Sequence, residues 1–373
     1  MSKGKNNATV KSVCDNIVEY LSRVQEFAPG EYYGSFWSEK AYHGPLLDYH
    51  AGGSHHNRTA GSAGLGLWLI GCERQDRDLK ERAEAAFDWV TARQRPGGGY
   101  YEIQNNERPS DWEMTGLEEC STIELYNVVY GLGHALLSGL KPKKMYRDCL
   151  MKAGHWLLSI ERPVGSGVFP HHDRSPYDCL NANMFAAQSL AIIHTTMSRV
   201  YGQTVNIFAQ GALRAARHTL ELQWADGSFP YSANQGSTIN YTSCVVWSYL
   251  DIMDLLPEDS FERMTVDKIK TALRKAAGFL RDCVNRDGTL KWDHETSSAK
   301  HNITPYVFTC NLLWRQGGEV NRKAALRLLG YLLSQTTKEG LLPMRDEGEV
   351  ITECAPMQAD MLLFLLPLAG TKI

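Results

Sequence analysis

Between Lys80 and Gln94 the apolar residues Ala83, Ala86, Phe87 and Val90 recur three and four positions apart, with charged residues between them. That spacing predicts a helix with one apolar stripe and one charged face. Asn206–Trp224 and Asp267–Val284 repeat the design, with Arg and Lys on the outer side. Segments of a second kind alternate with these: Gly61–Gly71, Glu119–Leu137, Asn183–His194, Tyr241–Met253, Pro305–Trp314 and Glu353–Leu368. They are apolar on almost every face, and a helix of that kind belongs inside a structure, enclosed by others.

Glycine turns punctuate the alternation. The clearest is Gln223–Tyr231, QWADGSFPY, and it is echoed around Gly34, Gly99, Gly167, Gly288 and Gly340, at intervals of 65, 68, 60, 61 and 52 residues counted with Gly227. Each interval holds two helices and their connections, too long for the common short solenoid repeats. Each turn places glycine where a left-handed backbone is least costly and follows it with apolar or aromatic residues. In QWADGSFPY both Trp224 and Phe229 are expected to wedge between neighbouring helix pairs. Small residues such as Gly61, Gly64, Gly131 and Ala186 would let the inner helices approach closely. The pattern predicts an all-α protein, an (α/α)6 toroid of six inner and six outer helices, with residues 1–373 as a single domain. An open helical solenoid is the alternative, though it would need polar capping repeats at its ends.

Composition narrows the function. With 43% hydrophobic and 22% charged residues and a net charge of −3, there is no basic excess to hold nucleic acid. No apolar run approaches the roughly 20 residues that cross a bilayer. The N-terminal stretch lacks the apolar centre of a signal peptide. Nine cysteines without a CxxC pair suit free thiols in the cytoplasm rather than a disulfide framework.

The turn-plus-helix pattern, with Q-x-x-D-G-S-F after an outer helix, resembles the α/α-toroid superfamily. That group includes glycoside hydrolases, polysaccharide lyases and sugar epimerases. More weakly, the pattern resembles the QW repeats of squalene-cyclase and prenyltransferase toroids. The resemblance implies that substrate enters where the inner helices begin, among the loops preceding them. Seven of the twelve histidines fall in those loops. The first loop carries Asp48, His50, His55, His56 and Arg58. The second carries Trp112 and Glu119, and the third His171, His172, Asp178 and Asn181. The fourth leads to Tyr241, the fifth holds Trp292, His294 and His301, and the sixth Arg345 and Glu353.

These residue types suit sugar chemistry. Glycosidic hydrolysis needs two carboxyl groups flanking the scissile bond. Proton abstraction at a uronic acid, by a lyase or epimerase, needs a base and cations or amides to hold the enolate. Glu119, Asp178, His172, Glu353 and Tyr241 are the candidate catalytic groups, and the other loop residues named are candidate substrate contacts. Each has a plain structural alternative: Asp178 and Glu353 as helix caps, Glu119 as half of a solvated pair with Glu118, His172 as a polar loop residue and Tyr241 as a packing residue. No histidine or cysteine spacing points to a metal, and no cofactor is expected. The expected partner is an oligosaccharide or other small molecule, with neither nucleic acid nor membrane. Two other readings stay open. An isoprenoid cyclase or dehydratase would want a dry aromatic cavity and an Asp-rich motif absent here. A non-catalytic toroid would bind a glycan without turning it over.

Overall fold

The structure is a computed structural model that describes residues 9–40, 51–101, 120–173, 179–232, 236–256, 263–294, 300–348 and 350–369. Among these, twelve α-helices alternate between two layers. The outer set is α1 (Val10–Val24), α3 (Arg77–Ala92), α5 (Lys144–Ile160), α7 (Asn206–Glu221), α9 (Arg263–Asp282) and α11 (Glu319–Ser334). The inner set is α2 (Asn57–Glu73), α4 (Thr122–Leu137), α6 (Leu180–Tyr201), α8 (Ile239–Leu255), α10 (Thr304–Gln316) and α12 (Ala355–Leu365). Each inner helix packs on the next, and α12 packs on α2, so the ring closes and the open solenoid is excluded. One contiguous apolar core runs from Val10 to Leu368.

The six turns are the joints of this ring. Each rests on the next outer helix: Gly34 on Ala85, Gly98 on Lys152, Gly167 on Arg214, Gly227 on Lys275 and Gly288 on Arg327. The sixth, Gly340, rests on Asn16 of α1 and completes the circle. At Gly227 the backbone is left-handed (φ 94°), and a Cβ would lie 2.4 Å from the Lys275 carbonyl oxygen, so only glycine fits. In the second turn the left-handed residue is Gly98 and not Gly99, a choice that three adjacent glycines conceal. The residue two positions after each turn glycine is buried: Phe36, Tyr100, Phe169, Phe229, Leu290 and Leu342. Trp224, by contrast, is 44% exposed, so the wedge in QWADGSFPY is Phe229 alone.

The glutamine of the repeat also has a defined task. The Gln223 side-chain amide donates to the carbonyls of Gly227 and Ala272, both at 2.9 Å, tying the turn to α9. Gln94 and Gln25 do the same for the second and first turns. In the third turn a buried Glu161 takes over, accepting from Gly167 N and from both arms of Arg214. The glutamine clamps give donors to backbone carbonyls, and Glu161 gives an acceptor to the Gly167 N–H.

Two short antiparallel ribbons decorate the end where the inner helices begin. Strands β1 (Trp37–Lys40) and β2 (Ala51–His55) pair with Trp37 opposite His55, and β3 (Phe229–Pro230) and β4 (Ser237–Thr238) pair with Phe229 opposite Thr238. They lead into α2 and α8.

The opposite half of the ring interior holds an ionic cluster. His134 of α4 and Gln188 of α6 both meet Asp251 of α8, at 3.3 and 2.8 Å, and the Ser248 hydroxyl donates to Gln188. Tyr130 lies on His134 at 4.5 Å, and Asp254 adds negative charge nearby. Burial disfavours the imidazolium, but the Asp251 carboxylate overrides it, so the His134 pKa lies above the ordinary 6.5. A raised folded-state pKa contributes stability that is complete below 6.5 and is lost as pH rises through the folded value. Thermal melts should therefore show the Tm falling on that alkaline side, and Asp251→Asn should flatten the dependence. An unchanged profile in Asp251→Asn would refute this assignment.

Candidate functional site

The inner helices present their N-terminal turns to one end of the ring, and their neighbours supply several of the caps. Arg58 N of α2 donates to the Glu124 carboxylate of α4 at 2.9 Å, Leu180 N to the Tyr231 carbonyl at 2.8 Å, and Ala355 N to the Ser38 hydroxyl at 3.0 Å. Orphan N–H groups at helix starts need such partners. Here the partners also lock each helix start to the adjacent segment.

A cavity of about 150 Å³ opens among these starts, and all six inner helices contribute to its wall. Its charged feature is an ion pair: Arg58 Nη2 lies 2.6 Å from Asp360 Oδ2, with both side chains mostly buried. The Ser62 hydroxyl donates to Asp360 Oδ1 at 2.8 Å and lies 3.0 Å from Asn127 Oδ1. Three further side-chain amides, Asn181, Asn240 and Asn302, line the wall, with His171 from the third loop. His171 is held in place by its own backbone, because Thr122 N donates to its carbonyl at 2.8 Å and Ser121 pairs with His172.

Aromatic rings supply the remaining wall. Tyr126 stacks on Phe185 at 4.2 Å and accepts a hydrogen bond from Trp247 Nε1. Phe308 and Phe364 meet at 4.3 Å, and Tyr231 lies 4.6 Å from Tyr241. Burial raises the pKa of Tyr126, and burial with the neighbouring Cys179 raises that of Tyr231, so both stay neutral phenols.

Of the residues singled out from sequence, Arg58, His171, Asn181 and Tyr241 line this cavity. His172 stands behind, its ring 4.1 Å from that of His171. His55 is a packing residue, bonded to the Ser35 hydroxyl and stacked on Tyr32 at 4.3 Å. Burial, reinforced by Arg93, lowers its pKa to about 4. His56 is buried at the N-terminal boundary of α2. Glu353 is exposed, just before the start of α12. Trp292, His301 and Arg345 gather at a separate cluster around Asp346. His294 ends a short 3-10 turn. Asp48, His50, Trp112, Glu119 and Asp178 lie outside the described residues.

The sequence reading missed Asp360, Asn127, Tyr126 and the buried Glu124. A usable signal was present: a lone acid inside an otherwise apolar run, as in APMQADMLLFLL, has to be paired or functional. Among the described residues no three His, Cys, Asp or Glu side chains form a group that could hold a metal ion.

Solved structures share this architecture. A D-mannose isomerase superposes with a TM-score of 0.71 at 13% identity, covering 100% of both chains. The cellobiose 2-epimerase of Bacillus thermoamylovorans B4167 gives 0.68 at 11% identity, covering 96% of this chain and 99% of that one. An unsaturated glucuronyl hydrolase specific for heparin gives 0.63 at 12% identity, covering 96% and 97%. The fold is an (α/α)6 toroid. Identities this low establish the shared fold and nothing about activity. No protein-family model matches the sequence, and no curated protein does. No helix among the described residues is long and apolar enough to cross a membrane, and none of the nine cysteines is in a disulfide.

Proposed function

We propose that this toroid is a carbohydrate-active enzyme that holds a small sugar in the central cavity and moves a proton at the carbon beside its carbonyl, as an isomerase or epimerase does. The observation that carries this reading is the make-up of the wall: one imidazole, four amides and an Arg58–Asp360 pair set among aromatic faces. Amides match sugar hydroxyls, and aromatic faces match the C–H surface of the ring. The hydrocarbon body of an isoprenoid carries no hydroxyl groups to meet those amides. Hydrolysis needs two carboxyl groups across the bond. Among the described lining residues Asp360 is the one carboxyl, and Arg58 and Ser62 already engage it.

In this reading His171 transfers the proton, and Arg58 faces the carbonyl oxygen as negative charge develops on it. Asp360 holds the guanidinium in place. The solved toroids named as a mannose isomerase and a cellobiose epimerase support this class. Cysteines outside any disulfide fit a reducing, cytoplasmic setting. The test is incubation with a panel of aldoses and aldose-ended disaccharides in D2O, followed by NMR. The expected result is deuterium uptake beside the carbonyl together with a new sugar, and a loss of about a hundredfold or more in His171→Gln. Silence on every member, with cleavage of an unsaturated glucuronide instead, would replace this reading by a hydrolase.

A further inference from the structure

Aromatic side chains of α4, α6, α8, α10 and α12 meet around Tyr126 and Trp247. Tyr126, Phe185, Phe308 and Phe364 belong to the cavity wall, and Trp247 does not. The indole packs behind them, its ring centroid 5.2 Å from that of Phe308 and 5.1 Å from that of Phe364. Its Nε1 donates to the Tyr126 hydroxyl at 3.3 Å. Tyr126 is only 3% exposed, and the stack on Phe185 holds its ring in place.

An indole N–H donates and cannot accept. The bond therefore has one polarity: the phenol oxygen accepts, and its own hydrogen turns elsewhere. A phenolic O–H lies near the ring plane, so the hydrogen takes the side of the oxygen away from the incoming N–H. Trp247 stands outside the wall, and the other side is the cavity's. Among the described residues no acceptor lies within hydrogen-bond reach of that hydrogen. Buried donors in native proteins find a partner, so a wall that aims one inward is shaped for an acceptor on the molecule it holds. Burial keeps the phenol neutral, and the hydrogen stays in place at ordinary pH.

We propose that Tyr126 is a specificity-determining residue of the cavity: its hydroxyl donates to an oxygen of the bound sugar, and Trp247 is the positioning residue that fixes the direction of the hydrogen. The proposal rests on the sugar reading for the identity of the acceptor, and on the Trp247–Tyr126 bond for the direction. What the pair recognises is an oxygen lone pair. A carbonyl, ring or hydroxyl oxygen satisfies it, whereas an ammonium group at the same place sets donor against donor.

The bond can be watched by proton–nitrogen NMR on protein with isotope-labelled tryptophan. The Trp247 indole signal is the one that Trp247→Phe removes, and Tyr126→Phe should move it upfield, as loss of its acceptor requires. A sugar that exchanges its carbon-bound hydrogen should move it downfield with saturation in the wild type, since a phenol that donates becomes a better acceptor. Tyr126→Phe should raise the Kd of that sugar about tenfold. Tyr126→Phe/Trp247→Phe should bind no more weakly than Tyr126→Phe, because the indole acts only through the phenol. Monodeoxy analogues locate the oxygen: the one lacking it should bind wild type and Tyr126→Phe alike and leave the indole signal still. An amino group in its place should bind no better than the deoxy sugar. Thermal melts check the fold of each variant, and the analogue series on the wild type decides if one fails. An indole signal indifferent to Tyr126→Phe, an unchanged Kd in that variant, or equal indole shifts with every analogue overturns the proposal. A sugar that exchanges in D2O without moving the signal overturns it and leaves the isomerase reading in place. Acetone and dimethyl sulfoxide moving the signal where no sugar does keeps the donor and ends the sugar reading; silence from all of them ends both.

Discussion

Asp360→Asn should lower kcat/KM for the proposed sugar substrate about a thousandfold, the upper end of what one preorganised electrostatic contact supplies. The carboxylate does two things at once. It fixes Arg58 Nη2 at 2.6 Å and it receives the Ser62 hydroxyl at 2.8 Å. An amide can answer the hydroxyl but leaves the guanidinium uncompensated in a largely buried wall. Breaking a buried pair on one side costs about 3–5 kcal/mol, and the partial opening of this pair to the cavity points to the lower end. Stability and activity can therefore be separated. Arg58→Met/Asp360→Asn removes the stranded charge and should regain most of the melting temperature while activity stays lost. Activity returning together with stability in the double variant would show that the pair is scaffolding only. The measurement is kcat/KM beside a thermal melt for each variant.

The second large effect lies in the contact between α2 and α4. A Cβ on Gly131 would stand 2.0 Å from the Gly61 carbonyl oxygen, and one on Gly61 would stand 2.3 Å from the Asn127 carbonyl oxygen. Both obstacles are backbone, so no rotamer change relieves them and the helices have to part. Gly131→Ala should cost about 3 kcal/mol or more, beyond ordinary overpacking. Gly131→Val should forfeit most of the roughly 5–15 kcal/mol that holds a protein folded and should not accumulate as native toroid. Gly278, inside α9 toward its C-terminal end, is the control, because nothing lies within 4 Å of its added Cβ. Gly278→Ala should be neutral or gain up to about 1 kcal/mol from helix propensity. The comparison needs only circular dichroism melts. A Gly131→Val protein melting within a few degrees of wild type would contradict the crossing.

The ring was readable because its forces are periodic. Charged-faced and all-apolar segments alternate with the layers, and the burial of Phe36, Tyr100, Phe169 and Phe229 follows the turn glycines at a constant offset. Conformational choices within a motif were less accessible. Three consecutive glycines hide that Gly98 takes the left-handed backbone, and a large ring at Trp224 looks like a wedge although the packing of the corner uses Phe229.

The candidate site was harder to read because reactive residue types draw attention to loops. His55 looks like a loop residue yet ends strand β2 and serves packing, held by Ser35 and Tyr32. Asp360 and Asn127 are in the middle of apolar helices yet face the cavity. A residue's letter gives its chemistry, but only the helix phase and the neighbour's position decide which way it is turned. Arg58 and Asp360 are 302 positions apart, and their meeting follows from closure of the ring rather than from any local pattern.

That closure has a mechanical consequence. A linear stack of repeats can shed its outermost member and survive, since only one surface is uncovered. A hoop has no outermost member: loosening any wedge, including the one where Gly340 seats on Asn16, bares two flanks at once and slackens the tension that keeps Arg58 opposite Asp360. Loss of order should thus arrive everywhere together.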